Sequence, residues 1–305
     1  MPRAPLVIGS TGQRTGARSS HPLGASVAAM DQAVGWMSFR LLDCAGSEWI
    51  GAQWADTERA DLQWIGCDQA LSDPRFFTRW RAGVAQRLAG HDTTVPETTT
   101  AGYVLQWYLG IPTYLGAMLF HSARRVPSLQ PQQLAFRLDP DWVPEVALRP
   151  GRFWCLPGDP DAGHPDAVPV ADQVALGAVL RHEVVAHATH FLQVYGPLVR
   201  FGRRTLWATV TDVLDAGLLL AGRSLGRAQA GADDARLVLA HREDPFTSAS
   251  TTCTVTDERG RIHWTRRRGS CCFQYALPGI EQPCASCPRV HDAERARMLS
   301  TLEQP

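Results

Sequence analysis

Apolar residues recur at helical spacing over much of the chain, and this pattern predicts a predominantly helical core. Val27, Met30 and Val34 follow one another at intervals of three or four residues, which places their side chains on one face of a helix. Asp73 followed by Pro74 is typical of a helix start, because the acid caps the first turn and the proline fits it. The pattern predicts helices at residues 25–42, 71–88, 98–124, 171–195, 201–220 and 232–240.

Two other segments alternate apolar and polar residues, which is the pattern of β-strands. Residues 133–157 are expected to form a small antiparallel sheet with a turn at 149–151. Residues 251–256 and 261–266 are expected to form a hairpin whose turn is 257–260. These elements predict an α+β fold with a predominantly helical core, a small antiparallel sheet and a C-terminal hairpin that leads into a cysteine-rich loop.

Length and composition fit a globular protein with a full hydrophobic core. The chain has 305 residues, of which 45% are hydrophobic and 20% are charged, an ordinary balance for a globular protein. The predicted division is a mobile N-terminal tail at 1–20, a helical core with the small sheet at 21–247, and a C-terminal segment at 248–305. That last segment contains the hairpin and a cluster of cysteines.

Charge and hydropathy narrow the classes of partner and location. The formal net charge is zero, which gives no indication of nucleic-acid binding. The chain has no run of about 18 apolar residues, the length that a membrane helix needs. The first residues also lack the apolar stretch of a secretory signal. We therefore expect a cytoplasmic protein, whose reduced thiols are available to bind metal.

Four of the eight cysteines lie within 17 residues near the end of the chain. Cys271 and Cys272 are adjacent, and Cys284 and Cys287 follow after eleven residues in a Cys-x-x-Cys-Pro sequence. Coordination by sulfur alone is typical of zinc or of iron–sulfur centres. Adjacent cysteines cannot form the small chelate loop of structural zinc sites, whereas a wider two-iron cluster tolerates them. The pattern therefore favours a [2Fe-2S] cluster on these four residues, with zinc as the alternative.

The same region resembles the C-terminal motif of FhuF-like ferric-siderophore reductases. The resemblance rests on RRGSCCFQY at residues 267–275, LPG at 277–279 and the pair Cys284-x-x-Cys287. In that family a Cys-Cys-x(10)-Cys-x-x-Cys motif holds a [2Fe-2S] cluster. The gap between the pairs is eleven residues in this chain, one more than in the family pattern.

The resemblance, which is strongest over residues 266–288 and diffuse over 98–222, implies a function as well as a cofactor. It implies an iron–sulfur reductase that delivers one electron to Fe(III) in a siderophore and releases Fe(II) during iron uptake. Its partners would be the ferric siderophore and, in loose association at the inner face of the membrane, a siderophore importer. The chain has no phosphate-binding loop or dinucleotide fingerprint, so we expect the electron from a ferredoxin-like protein or a reduced flavin.

Three consecutive arginines precede the cysteines: Arg266, Arg267 and Arg268. They are candidates for binding an anionic ferric chelate, and their positive charge is expected to raise the reduction potential of a nearby cluster. The alternative is a solvated basic strip, which is a common role of such runs.

His187 and His190 are the other candidates for contacting an anionic chelate. Their spacing of three residues places both on one face of the helix predicted at 171–195. The alternative is a polar stripe on a core helix. The motif of zinc proteases is excluded, because it needs histidines at i and i+4, whereas His182 and His187 are five residues apart.

Two other classes of function stay open at this point. In the first, the four cysteines hold zinc, and the chain is a siderophore-binding or interaction module without redox activity. In the second, the helical core acts as a ligase, because through the FhuF-like family it resembles a domain of aerobactin-type siderophore synthetases. Iron and sulfide content would distinguish the first class, and ATP turnover with a carboxylate and an amine would distinguish the second.

Overall fold

The computed structural model describes residues 21–42, 64–89, 94–277, 280 and 282–302, and it confirms the predicted α+β fold with a predominantly helical core. The tail predicted at residues 1–20 lies outside the described residues. The helices of the described part are α1 (Leu23–Ala33), α2 (Cys67–Ser72), α3 (Pro74–Leu88), α4 (Glu97–Ala123), α5 (Gln173–Tyr195), α6 (Arg203–Ser224), α7 (Ala228–Val238) and α8 (Asp292–Leu302).

Helix α4 runs through the core and contributes buried residues from its first turn to its last. Thr99, Leu109 and Phe120, from its first, middle and last turns, are all inaccessible to solvent. The helix continues through Pro112, although a proline removes one backbone hydrogen bond. Packing of the helix in the core therefore outweighs the tendency of Pro112 to break it.

Helices α6 and α7 approach each other closely at two glycines. A Cβ atom at Gly222 would lie 2.6 Å from the backbone N of Gly231, and one at Gly231 would lie 2.6 Å from the O of Leu218. A side chain at either position would therefore force the helices apart. This close packing fixes α6, whose other face meets the cysteine segment.

The first helix is shorter than the predicted one. Helix α1 ends at Ala33, and part of the predicted remainder forms strand β1 (Ser38–Leu41). The Asp31 carboxylate accepts hydrogen bonds from the backbone N of Phe39 at 2.9 Å and from the Arg40 guanidinium at 2.6 Å. These bonds hold strand β1 against helix α1, so the chain turns back after Ala33. The spacing of apolar residues gives no indication of such a turn.

The sheet predicted at residues 133–157 is divided between two mixed sheets. The remaining strands before the hairpin are β2 (Ile65–Gly66), β3 (Arg125–Pro127), β4 (Leu134–Asp139), β5 (Trp142–Leu148), β6 (Phe153–Cys155) and β7 (Ala167–Pro169). One sheet has the order β1-β5-β4-β2, in which β4 and β5 are antiparallel as predicted and β1 is parallel to β5. The other has the order β3-β6-β7, so β6 pairs with strands outside the predicted segment.

The C-terminal hairpin forms as predicted from two antiparallel strands, β8 (Thr252–Thr256) and β9 (Ile262–Arg266). The Asp257 carboxylate accepts hydrogen bonds from two backbone N atoms of the turn, both at 2.9 Å. Gly260 has a φ of 76°, a left-handed conformation that glycine adopts without strain. The hairpin delivers the chain into the cysteine segment.

One helix of the described part, α6, is long and apolar enough to cross a membrane by length and composition. Of its apolar window, 83% is buried inside the protein. Val210 and Leu214, for example, are inaccessible to solvent. The apolar surface of α6 is thus used in the core.

His187 is a core residue of α5. Its Nδ1 atom donates a hydrogen bond to the backbone O of Leu129 at 2.6 Å, and its Nε2 atom accepts one from the Tyr108 hydroxyl at 3.2 Å. Burial lowers the pKa of His187 to about 4, although the hydrogen bond to Leu129 opposes this effect. The ring is therefore neutral in the folded protein at neutral pH.

We expect this histidine to make the protein less stable in mild acid. Between pH 6.5 and pH 4 the unfolded chain binds a proton at this ring and the folded chain does not, so stability is lost as the pH falls. Between pH 7.5 and pH 4.5 this linkage is worth about 2.5 kcal/mol of unfolding free energy. Urea unfolding at the two pH values should show the loss in the wild type.

The matched variants are His187→Gln and His190→Gln, on the same helix. The first removes the buried titrating ring and is expected to reduce the difference between the two pH values by about 2.5 kcal/mol. The second changes an exposed ring and should retain the wild-type difference. Equal pH dependence in the wild type and His187→Gln would show that this ring does not carry the effect.

Candidate metal centre

The four cysteines converge on one depression at the surface. Cys271, Cys272, Cys284 and Cys287 line this shallow depression together with Arg268. The Sγ atoms of Cys272 and Cys284 are 3.7 Å apart. Cys272 and Cys287 are buried, whereas Cys271 and Cys284 are partly exposed. The structure thus brings the two cysteine pairs to one place that solvent reaches.

Asp212 of α6 holds the turn that leads into the first pair. Its Oδ1 atom accepts a hydrogen bond from the backbone N of Gly269 at 2.7 Å. Its Oδ2 atom accepts hydrogen bonds from the backbone N and the Oγ of Ser270, at 2.9 and 2.6 Å. Asp212 is 3% exposed. Because hydrogen bonds to a carboxylate are strong, this residue fixes the backbone directly before Cys271.

Phe273 bends the backbone directly after the two adjacent cysteines. Its φ is 56°, a left-handed value that is uncommon for a residue with a side chain, and its backbone N donates to the Sγ of Cys271 at 3.3 Å. Its ring stacks on Phe201, with centroids 5.6 Å apart and planes 6° apart. Its backbone O accepts a hydrogen bond from the Thr99 hydroxyl at 3.2 Å. These contacts hold the bend that adjacent cysteines need in order to face one site.

The second pair is held by its own turn and by a link to Arg268. The backbone N of Cys287 donates to the O of Cys284 at 2.8 Å, and the Oγ of Ser286 lies 3.7 Å from the Sγ of Cys284. The backbone N of Arg268 donates to the O of Ser286 at 2.9 Å. This last bond connects the backbone before the first pair with the turn of the second pair.

Arg295 of α8 anchors the chain within and after the second pair. The side chain is inaccessible to solvent and donates hydrogen bonds to the backbone O atoms of Ala285, Cys287 and Val290, the last two at 3.1 and 2.9 Å. The Asp292 carboxylate lies 3.6 Å from its Nε atom. Helix α8 therefore positions the turn that carries Cys284 and Cys287.

The contact between the sulfurs of Cys272 and Cys284 shifts the pKa values of the two thiols in opposite directions. The hydrogen bond from Cys272 lowers the pKa of Cys284 to about 5, with smaller contributions from Ser286 and Arg268 and against the opposing effect of burial. The same contact, together with burial, raises the pKa of Cys272. Since the thiolate is the form of cysteine that binds metal, the pair presents a ligand at neutral pH.

Tyr103 of α4 places a hydroxyl near these sulfurs. Its Oη atom is buried and has no hydrogen-bond partner among the residues that the structure describes. Burial, followed by the charges of Cys272 and Cys284, raises the pKa of Tyr103 to about 12. At the preceding residue, Gly102, a Cβ atom would lie 3.5 Å from the backbone O of Cys272, so α4 lies directly against the cysteine segment.

The three arginines predicted as candidates differ in their surroundings. Arg268 is buried and Arg266 is partly buried, with 14% of its side chain exposed, and each has a guanidinium nitrogen near an oxygen of Asp212, at 3.7 and 3.6 Å respectively. Arg267 is exposed and pairs with Asp292 at 2.5 Å. The run is therefore not one continuous surface strip, since only its middle residue lies in solvent. Of the three, Arg268 lines the depression.

The two candidate histidines are not brought together with the cysteines at this depression. His187 lies in the core, where both of its ring nitrogens are hydrogen-bonded. His190 is exposed on α5. Neither residue lines the depression.

Another group of ligand-type side chains, His21, His164 and Asp166, lies within 4.8 Å of one another. The Nδ1 atoms of His21 and His164 accept hydrogen bonds from the backbone N atoms of Leu23 and Asp166, at 3.3 and 3.1 Å. The ring protons therefore lie on the Nε2 atoms, and the Nε2 of His21 is 3.3 Å from Asp166. This arrangement braces the start of α1 by hydrogen bonds.

The sequence patterns did not identify Asp212, Tyr103 or Arg295. Asp212 carries a signal that could have been used, because it is an acid among apolar residues such as Val213 and Leu214 in a helix predicted to be core. Such an acid needs a buried partner. Tyr103 and Arg295 carry no comparable signal.

The fold and the site define a mostly helical protein with a C-terminal four-cysteine segment that could hold a metal centre. Residues 268–289 match the family model described as FhuF 2Fe-2S C-terminal domain. This match supports membership of the FhuF-like family, as the motif predicted, and it indicates an iron–sulfur, siderophore-related protein. No curated protein matches the chain.

Proposed function

We propose that the chain is an iron–sulfur reductase of ferric siderophores. Cys271, Cys272, Cys284 and Cys287 would hold a [2Fe-2S] cluster, and one electron would pass from it to Fe(III) in a bound siderophore. The observation that carries this proposal is the convergence of both cysteine pairs on one depression within the segment that matches the FhuF 2Fe-2S domain.

The spacing of two of the sulfurs fits ligands of one metal ion. Two thiolates on a single tetrahedral ion, with metal–sulfur bonds of about 2.3 Å, lie about 3.8 Å apart. Cys272 and Cys284 fit this value at 3.7 Å. The preference for two irons over one zinc ion rests on the adjacent cysteines and on the match to the FhuF 2Fe-2S domain.

The chemistry of release follows from the ligands of iron. Siderophores hold Fe(III) with hard anionic oxygens, and Fe(II) is a softer ion that binds these oxygens more weakly. A [2Fe-2S] cluster supplies one electron at a time, which is the amount that converts Fe(III) into Fe(II). Each turnover then needs one electron from outside, which we assign to a ferredoxin-like protein or a reduced flavin.

The surroundings of the depression suit an anionic chelate. Tyr275 is 40% exposed at its edge, and the Arg289 guanidinium lies 5.4 Å from the centroid of the Tyr275 ring. Arg203 and Arg204 are exposed close in sequence to Phe201, whose ring stacks on Phe273. Positive charge around an open site raises the local concentration of anions. We assign the protein to the cytoplasm, at the inner face of the membrane beside a siderophore importer.

Anaerobic purification tests the proposal. We expect a brown protein with about two iron atoms and two labile sulfides per chain, and with visible absorption that dithionite bleaches. The reduced protein, mixed with several ferric siderophores, should then release Fe(II), which a coloured Fe(II) chelator traps.

The outcomes separate the candidate functions. A colourless protein that contains zinc would replace the reductase with a zinc-stabilised binding module. A protein that contains the cluster but releases no Fe(II) from any siderophore would contradict the reductase activity and leave the iron–sulfur centre in place.

A further inference from the structure

We propose that Arg268 is the buried cation that faces the cysteine sulfurs and raises the reduction potential of the centre bound there. This inference rests on the proposed function, because only a redox centre has such a potential. The inference concerns Arg268 alone, because the two preceding arginines, Arg266 and Arg267, do not line the depression.

The backbone and the side chain of Arg268 both belong to the site. Its backbone N is bonded to the O of Ser286, between Cys284 and Cys287, and its side chain lines the depression with all four cysteines. Arg268 is 8% exposed, so water screens its charge weakly. A charge held this close to the sulfurs acts on whatever the sulfurs bind.

The nearest carboxylate is already engaged by the backbone. The two oxygens of Asp212 accept three hydrogen bonds from Gly269 and Ser270. The guanidinium groups of Arg266 and Arg268 lie near the same carboxylate, at 3.6 and 3.7 Å, beyond the usual length of a hydrogen bond. One carboxylate therefore serves two guanidinium groups.

Two other carboxylates, Asp215 and Asp292, lie near the arginines but are engaged by groups other than Arg268. Asp215 accepts hydrogen bonds from Ser250 and Thr251, and its attraction acts on Arg266. Asp292 is half-exposed and pairs with Arg267 and Arg295.

An incompletely paired buried cation is costly unless an anion completes its surroundings. The Nε atom of Arg268 has no hydrogen-bond partner among the described residues. Iron bound by four thiolates would be such an anion, and one-electron reduction would make the net charge of the whole centre more negative by one. A buried guanidinium stabilises the reduced state more than the oxidised one, which raises the potential.

The test compares three variants that carry the centre: Arg268→Gln, Arg268→Lys and Arg267→Gln. Loss of the buried charge in Arg268→Gln is expected to lower the equilibrium constant for one-electron reduction about tenfold, which is 59 mV in midpoint potential. Arg268→Lys keeps the charge and should stay within about threefold of the wild type. Arg267→Gln removes an exposed charge that does not line the depression and should leave the potential unchanged. Anaerobic redox titration followed by absorbance and electron paramagnetic resonance measures all three.

A wild-type potential in Arg268→Gln would overturn this inference while leaving the cluster assignment intact. If Arg268→Gln does not retain its iron, Arg268→Lys decides. An equilibrium constant for reduction of Arg268→Lys within about threefold of the wild-type value supports the role of charge, and a larger change overturns it. Absence of iron and sulfide from the wild-type protein would instead overturn the proposed function, and this inference with it.

Discussion

Cys272→Ala is expected to lower the iron and labile sulfide of the purified protein to about a tenth of the wild-type content or less, because a cluster needs its thiolate ligands. Cys272 should be more sensitive than Cys271 and Cys284, which are partly exposed. Its sulfur contacts that of Cys284 at 3.7 Å, and it is only 8% exposed, so water cannot easily take its place as a ligand. Iron and sulfide assays after anaerobic purification, with the visible spectrum, measure the loss.

The matched control for this variant is Cys253→Ala. Cys253 lies on β8, in the hairpin that leads into the site, and it is a free, partly buried thiol outside the lining of the depression. We expect this variant to keep the wild-type iron content and absorption. Wild-type iron content in Cys272→Ala would contradict the ligand assignment, and equal loss in both variants would indicate a general effect of removing thiols from this part of the protein.

The parts of this protein that could be predicted from sequence are those set by local chemistry. The cap of α3 formed as predicted, with the Asp73 carboxylate accepting from the backbone N of Arg75 at 3.0 Å. The turn of the hairpin likewise depends on Asp257 and Gly260, which are three residues apart. The spacing of the cysteines is local too, so their convergence could be anticipated from 17 residues of sequence.

The parts that could not be predicted depend on contacts between distant segments. Asp212 lies 57 residues before Gly269, whose backbone it binds, and Thr99 lies 174 residues before Phe273. Arg266 and Arg268 lie beside that distant carboxylate, whereas Arg267 is exposed, and composition alone could not separate these three arginines. The parallel pairing of β1 with β5 is another such contact.

Asp212→Ala is expected to lower the unfolding free energy by about 3–5 kcal/mol, because it leaves buried charges without their partner. The variant also leaves the backbone N atoms of Gly269 and Ser270 and the hydroxyl of Ser270 without their acceptor. Each buried donor left unpaired costs about 1–3 kcal/mol. Urea unfolding measures the total, and hydrogen exchange at the amides of Gly269 and Ser270 measures the local loss of order before the cysteines.

Asp233→Ala provides the comparison, because Asp233 is a helical acid whose side chain is 58% exposed and pairs with Arg236. An exposed pair of this kind contributes little, so a change within about 0.5 kcal/mol is expected. The Asp212 variant should in addition bind less iron, since the turn before Cys271 loses its anchor. Wild-type exchange at Gly269 and Ser270 in Asp212→Ala would show that the cysteine segment holds its shape without α6. The positioning of the first pair would then have to come from Phe273 and its contacts with Thr99 and Phe201.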